Sequence, residues 1–190
     1  MTGEDAQKWL DAPDVETLKG VRDRALFSVL IGCGLRCVKA ATLSFHHIEQ
    51  REGRWAIVEI VGKRDKIQFV PMPSWAKSAI DAWKTVARLE AGFVFRRVNK
   101  GDNLTGESIT PQAVRNVVGG YAQKLENQRI APHDLRRTFA RLAHRGGSPI
   151  DRIKLSLGHD SIQTTEKYLG VEQDLTDAPC DHLRLRIGGR

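Results

Sequence analysis

Apolar positions repeat along this chain at helical spacing for most of its length, and the spacing changes once. In "DVETLKGVRDRALFSVLIGCGLR", Val15, Leu18, Val21 and Leu26 recur at helical intervals, and Phe27, Val29, Leu30 and Ile31 crowd the second half. This predicts a helix that becomes increasingly buried until Gly32 to Gly34 end it. Ahead of it, "TGEDAQKWLDAPD" places Thr2 three residues before Asp5, a weak capping pattern for a short helix that stops at Ala12-Pro13. "CVKAATLSF" reads as a further short helical turn. Between residues 44 and 72 the period shortens. "SFHHIEQ", "RWAIVEIVG" and "DKIQFVPM", enriched in Ile, Val, Phe and Trp and broken by "REG" and "GKR", predict a three-stranded antiparallel sheet, the one clear β region.

Helical spacing then resumes. "PSWAKSAIDAWKTVARLE" has Pro73 near its start and Gly92 just past its end. "TPQAVRNVVGGYAQKL" has Thr110 as cap, Pro111 at the first helical position, and Val114, Val117, Val118, Tyr121 and Leu125 facing inward, with the Gly119-Gly120 pair weakening it. The last third is helical in short pieces, "PHDLRRTFARLAHRG", "SPIDRIKLSLG" and "SIQTTEKYLG", with Gly146, Gly158 and Gly170 at their ends. The fold class expected is mainly α (α+β): a helical domain with a small three-stranded antiparallel sheet. Short helices in series place polar side chains from several elements around one cleft.

At 190 residues the chain is long enough for one well-packed domain or a tight pair of subdomains. No apolar run has bilayer-spanning length and "TGEDAQKW" lacks a basic start and an apolar signal core, so a cytoplasmic, non-membrane protein is the expectation. Cys33, Cys37 and Cys180 do not describe a disulfide framework. Cys33 and Cys37, near His46 and His47, lack the paired ligand clusters usual in zinc modules, and no metal or other cofactor is expected. The formal net charge is +7 and the pI about 9.6. Residues 1–95 carry 14 Lys and Arg against 12 Asp and Glu, and residues 96–190 carry 16 against 11, so the excess lies mostly in the second half. A polyanion, nucleic acid first, is the partner this charge favours.

In "APHDLRRTFARLAHR", His133 and Arg136 lie three apart at a helix start and share a face, while Arg137, Arg141 and Arg145 recur at four-residue spacing. A basic stripe is usually a solvated face. Here it adjoins a His and an Arg able to converge on a phosphate, whose oxygens suit the forked guanidinium. His159 follows the helix-stopping Gly158, and Tyr168 lies on the next helix. Singly, such a tyrosine is ordinarily a core residue with its hydroxyl satisfied.

The order changes that reading. "GLR" with Arg36, "VGKRDKIQFVPM" with Lys63, "PHDLRRTFA" with His133 and Arg136, and "LGHDSIQTTEKYLG" with His159 and Tyr168 together resemble the tyrosine recombinase (phage integrase) family over nearly the whole chain. His-x-x-Arg alone is a weak signal; four pieces in order, with Leu-Gly-His followed nine residues later by Tyr, are a strong one. The resemblance implies that residues 1–175 form a catalytic domain in which Tyr168 attacks a DNA phosphodiester, forming a 3′-phosphotyrosyl bond and releasing a 5′-hydroxyl. It implies that Arg36 and Arg136 hold the non-bridging oxygens, that His133 is base or hydrogen-bond partner to Tyr168, and that His159 steadies the phosphate or the pocket. Lys63, on the β2 to β3 turn, would protonate the departing 5′-oxygen, with Lys66 as rival. Phosphoryl transfer of this kind depends mainly on positioning and charge neutralisation.

Lys39 stands where the family usually has an acidic residue, three positions after the first arginine, and Arg137 stands where a histidine is common. Lys39 motivates the alternative of a catalytically impaired DNA-binding module of the same fold; it is expected to point away or to reach DNA phosphate, and Arg137 to face outward. A basic RNA-binding or ribosome-associated protein is a third reading, which accounts for the charge but not for the ordered motifs. Relatives usually carry a separate helical core-binding domain before this one, absent from this chain. Double-stranded DNA and neighbouring protomers are the expected partners. Arg115, Lys124, Arg141 and Arg145 are candidate DNA contacts, and the tail, residues 176–190, is expected to dock on a neighbouring protomer. The helix carrying Tyr168, short and bounded by glycines, is expected to be able to swing into place on DNA.

Overall fold

The computed structural model describes residues 1–61, 67–126 and 130–170. Its elements follow the expected order: α1 (Gly3–Asp11), α2 (Leu18–Gly32), α3 (Cys37–Ala41), a 3₁₀ turn (Phe45–His47), β1 (Ile48–Arg51), β2 (Arg54–Val61), β3 (Ile67–Pro71), α4 (Ser74–Val86), β4 (Arg97–Val98), β5 (Leu104–Thr105), α5 (Pro111–Lys124), α6 (Pro132–Arg145), α7 (Ile150–Leu157) and α8 (Ile162–Leu169). Among the described residues no helix is long and apolar enough to cross a membrane.

Helix α2 is the axis of the domain. It packs against α1, α4 and α6, so its apolar residues surround it rather than forming one stripe: Ala25, Leu26, Phe27, Val29 and Leu30 are all fully buried. Its first turn is fixed from two sides. The Thr17 hydroxyl accepts from the Gly20 amide, and the Asp102 carboxylate accepts from the amides of Leu18 and Lys19 at 2.7 and 2.8 Å. A side chain at Gly20 would collide with the Asp14 carbonyl, so the chain turns into α2 only because that position lacks a Cβ. The α1 cap is the reciprocal Thr2–Asp5 pair that the sequence suggests.

The sheet runs β1-β2-β3, antiparallel throughout, with Ile48 opposite Ile57 and Ile57 opposite Val70. Beyond Ile57 the β2–β3 register shifts before resuming at Ile60 opposite Gln68. β3 lies against α7, so the sheet flanks the C-terminal helices.

Two expectations need correction. Helix α4 ends at Val86, well before Gly92. Arg88 takes a left-handed conformation (φ +51°), the Leu89 amide reaches back to the Lys84 carbonyl and the Arg88 amide to the Thr85 carbonyl, a C-terminal motif that returns Leu89 to the core. Gly92 instead turns the chain so that Phe93 bridges Ser44. The three-stranded sheet is also not the only β structure: β4 and β5 form a second antiparallel pair, Arg97 opposite Thr105 and Val98 opposite Leu104. Two residues per strand are too few for alternation to register.

Among the described residues, most of the buried apolar side chains fall into two clusters. The larger surrounds α2, and the smaller, Ala140, Ile153, Leu157 and Leu169 with Phe139, Ala143, Ile150 and Tyr168 against it, joins α6, α7 and α8. Gly146, Gly158 and Gly170 close these three helices, Gly158 and Gly170 in left-handed conformation.

Candidate active site

Helix α6 begins at Pro132, and the Asp134 carboxylate closes its first turn by accepting from the Ala131 amide at 3.0 Å. His133 therefore stands exposed at the helix start, while Arg136, one turn on, is only 3% exposed. The Arg136 guanidinium donates from one terminal nitrogen to the Gly34 carbonyl and from the other to the Leu157 carbonyl. It thus ties the α2–α3 turn to the end of α7, across the boundary between the two apolar clusters. Gly34 is required there: it is left-handed (φ +61°), and a Cβ would press into the Phe139 ring. Arg136 Nε has no hydrogen-bond partner among the described residues, and no carboxylate among them pairs with Arg136.

Tyr168 reaches this corner from α8, which starts at the Ser161 cap and ends at Gly170. Its hydroxyl lies 2.6 Å from His133 Nε2, and the two rings meet edge to face at 5.0 Å. His159, 8% exposed, sits on the other side, its ring centroid 4.8 Å from that of Tyr168. The ring of His159 is oriented by Thr165, whose hydroxyl is 3.0 Å from Nδ1, and Thr165 is fully buried. Sequence reasoning passed over Thr165. Its signal was position: it precedes Tyr168 by three residues and so shares its face of α8. Tyr168 is docked in the single chain, so the swinging helix anticipated for α8 is not needed to bring Tyr168 and His133 together.

Arg36, at the N-cap of α3, is exposed, and its charge acts on the whole cluster. Burial, and then the neighbouring Arg36, lower Arg136 to about 10, against which the Tyr168 hydroxyl pulls upward. Burial, Arg136 and Arg36 push His159 down to about 4. His133 is also held below the ordinary histidine range, by burial and then by Arg137 and Arg136. Both histidines are neutral at pH 7, so His133 has a lone pair available for a proton.

Not every candidate joins this cluster. Lys63 and its rival Lys66 lie outside the described residues, as does the tail 176–190. Arg115 and Lys124 are nine residues apart on α5, about two and a half turns, and so occupy opposite faces of it. Arg115 is on the α3 side, where burial raises the Cys37 thiol and Arg115 pulls against it. Lys124 is turned to the far end, donating to the Ala12 carbonyl at 3.1 Å and lying over the Tyr121 ring. Arg141 is half-exposed and Arg145 exposed, one and two turns along α6 from Arg137. Arg137 faces outward only in part: its side chain is 40% exposed, with Cζ 5.5 Å from the centroid of the Tyr168 ring. Lys39 is half-exposed on α3. Among the described residues no group of three or more His, Cys, Asp or Glu is gathered for a metal ion. Cys33 is buried, and that burial pushes its thiol up to about 12.

The residues so assembled contain a phenol with a histidine on its hydroxyl and two guanidinium groups that, among the described residues, pair with no carboxylate, an arrangement chemically suited to attack on a phosphate. Comparison with known proteins points the same way. Among curated relatives, the tyrosine recombinase XerC of Myxococcus xanthus is 34% identical over 170 residues, which cover 85% of this chain and 54% of the relative. XerD of Neisseria meningitidis serogroup B is 31% identical over 173 residues, 90% of this chain and 58% of the relative. The chain thus spans little more than half the length of these relatives. Among solved structures, the XerA recombinase superposes with a TM-score of 0.71 at 23% identity, covering 90% of this chain and 60% of that one. The XerH recombinase in its post-cleavage complex with a palindromic difH substrate gives 0.72 at 22%, covering 90% and 49%. These two likenesses show the fold. The family model of the phage integrases matches residues 1–174, and the chain belongs to that family.

Proposed function

We propose that this chain is the catalytic domain of a site-specific tyrosine recombinase, which cleaves and rejoins double-stranded DNA through a 3′-phosphotyrosyl intermediate. The observation that carries the reading is the 2.6 Å approach of the Tyr168 hydroxyl to His133 Nε2, beside Arg136 and within the field of Arg36. In cleavage, Tyr168 Oη attacks the phosphorus and gives its proton to His133; the Oη–P bond forms and the bond from phosphorus to the 5′-oxygen breaks. Arg36 and Arg136 neutralise the non-bridging oxygens as charge spreads over them in the transition state. His159, held by Thr165, donates to the same phosphate. Lys63 is assigned the proton for the leaving 5′-oxygen. Attack by a second 5′-hydroxyl runs the sequence backwards, so one phosphodiester is exchanged for another and no high-energy cofactor is consumed.

Arg115, Arg141 and Arg145 would hold backbone phosphates, fixing register without reading sequence. Residues 176–190, with Leu183, Leu185 and Ile187 in alternation, are proposed to dock on a neighbouring protomer bound to the same DNA. A DNA substrate of this kind makes the enzyme cytoplasmic and nucleoid-associated. A binding module that has lost turnover has no reason to keep a tyrosine hydroxyl on a neutral histidine between two arginines, so the catalytic reading is favoured.

The test uses nicked suicide duplexes, from which the cleaved strand diffuses away. The chain is expected to form an adduct that survives denaturing electrophoresis and is lost in Tyr168→Phe. An adduct that persists in Tyr168→Phe, or none with the wild-type chain on any nicked duplex, would overturn the reading.

A further inference from the structure

The cluster contains one charge that the reaction above leaves without a role. Arg137 is half-buried; its Cζ lies 5.5 Å from the Tyr168 ring centroid, within the range of a cation–π contact. Among the described residues its buried Nε has no hydrogen-bond partner, and its ion pair to Asp134 on the preceding turn is loose at 3.9 Å. The side chain is still 40% exposed, so it keeps part of its hydration while its guanidinium lies against the ring. The guanidinium thus lies beside the phenol with only a loose carboxylate neighbour, where a histidine is usual in the family.

We propose that Arg137 is a positioning residue for the nucleophile: its guanidinium holds the Tyr168 ring against α6 and keeps a permanent positive charge beside the His133–Tyr168 pair. The inference rests on the recombinase reading and deepens it. Arg137 takes no proton and touches no reacting atom in this role. In the cleavage step the proton still passes from Tyr168 Oη to His133, the Oη–P bond forms and the bond to the 5′-oxygen breaks. Two consequences follow from the fixed charge. The α8 helix is only eight residues long, so a contact from α6 to the ring itself restrains the hydroxyl on His133. A cation here also disfavours protonation of His133, which must be neutral to accept the proton.

The groups that face His133 are Arg136, Arg137 and Asp134 on α6, Arg36 at the start of α3, His159 ahead of α8 and Tyr168 on it. Arg36, Arg136 and Arg137 act in the same direction and Asp134 against them, and burial is the largest cause, with Arg137 the largest of the charges. Removing Arg137 while the others remain therefore moves His133 back towards ordinary histidine behaviour. A histidine in its place would carry no permanent charge at neutral pH.

The experiment compares wild type with Arg137→Gln, Arg137→Met and Arg137→Lys, each checked for folding by circular dichroism. The first readout is the NMR titration of the His133 ring in the free chain, assigned by its loss in His133→Gln. The second is the pH profile of single-turnover cleavage of a nicked duplex. In the Gln and Met variants His133 is expected to titrate at higher pH than in wild type. The acid limb of cleavage should move with it, and the plateau rate should fall by about two- to fivefold, the scale of one exposed cation–π contact. The Lys variant should restore the limb. An unchanged His133 titration and an unchanged limb in both neutral variants would overturn the proposal, even if their rates fell, because a packing role alone lowers the rate equally at every pH. The titration is read without DNA, so it decides the inference separately from the function: a wild-type chain that forms no adduct sinks the recombinase reading, whereas a shifted His133 still supports the charge assigned to Arg137.

Discussion

The two apolar clusters of this domain differ in size and in what they hold. The larger is built on α2, buried on all sides and braced by aromatic contacts from Trp9 through Phe27 to Tyr121 at 5.2 and 5.0 Å. It presents the chemistry at its edge, through Gly34 and Arg36. The smaller cluster has four buried residues on three short helices, and it carries His159 and Tyr168. Arg136 is the strap between them. The larger cluster thus carries Arg36, and a lightly packed C-terminal unit carries Tyr168, the nucleophile under the proposed function. With few buried contacts, that unit is expected at the low-stability end of the structure.

The largest effects come from breaking the clusters one at a time. Phe27→Ala empties a fully buried site in the main core and is expected to cost about 3–5 kcal/mol, unfolding the whole chain cooperatively in thermal melts. Leu157→Ala, equally buried but in the small cluster, should cost about 2–4 kcal/mol and act locally. In hydrogen exchange, amides of α7 and α8 would open while those of α2 stay protected, and adduct formation would be lost. Equal loss of protection in α2 and α8 would show that the two clusters melt as one.

Acid should separate the clusters as well. His159 has an ordinary value of 6.5 and is depressed to about 4 in the folded chain. Its neutral burial therefore contributes stability that is fully present above about pH 6.5 and lost as pH falls towards 4, because the unfolded chain takes up a proton that the folded chain resists. The melting temperature of wild type should fall more steeply over that window than that of His159→Gln. Parallel curves would contradict the assignment.

A smaller effect is expected one bond further out. Thr165→Val keeps the shape of the side chain and removes the partner of His159 Nδ1, at a cost of about 1 kcal/mol. Cleavage should drop by about fivefold, with DNA affinity unchanged in a filter-binding titration, since Thr165 orients a ring rather than meeting phosphate. The smallest effect distinguishes the faces of α5. The chain alone, half the length of its relatives, is expected to bind duplex DNA weakly and with strong salt dependence. Arg115→Ala should reduce the slope of log affinity against log salt by about 1, and Lys124→Ala should leave it unaltered.

Much of this molecule was legible in its sequence, and the exceptions have physical causes. The long apolar runs announced α2 and α5, and the Thr110-Pro111 and Thr2–Asp5 caps marked helix starts where the structure has them. The order of Arg36, His133, Arg136, His159 and Tyr168 pointed to one cluster; the structure brings His133, His159 and Tyr168 into contact beside Arg136, with the charge of Arg36 acting on them. The end of α4 was misread because Arg88 adopts the left-handed conformation usually left to glycine, and no composition rule marks an arginine for that. β4 and β5 are too short to carry a period. Arg137 was read as outward because it begins an arginine stripe; its contact depends on where α8 crosses α6, which is a tertiary fact. The separation of Arg115 from Lys124 was in reach, since nine residues on a helix place side chains on opposite faces.

The most direct test of the central claim is the identity of the covalent link. The chain should be trapped on a nicked duplex, digested with protease and nuclease, and the nucleotide-bearing peptide sequenced by tandem mass spectrometry. The account predicts a single modified residue, Tyr168, joined to the 3′-phosphate of the cleaved strand, with a free 5′-hydroxyl on the released piece. A nucleotide on any other residue, or a link through a 5′-phosphate, would contradict it.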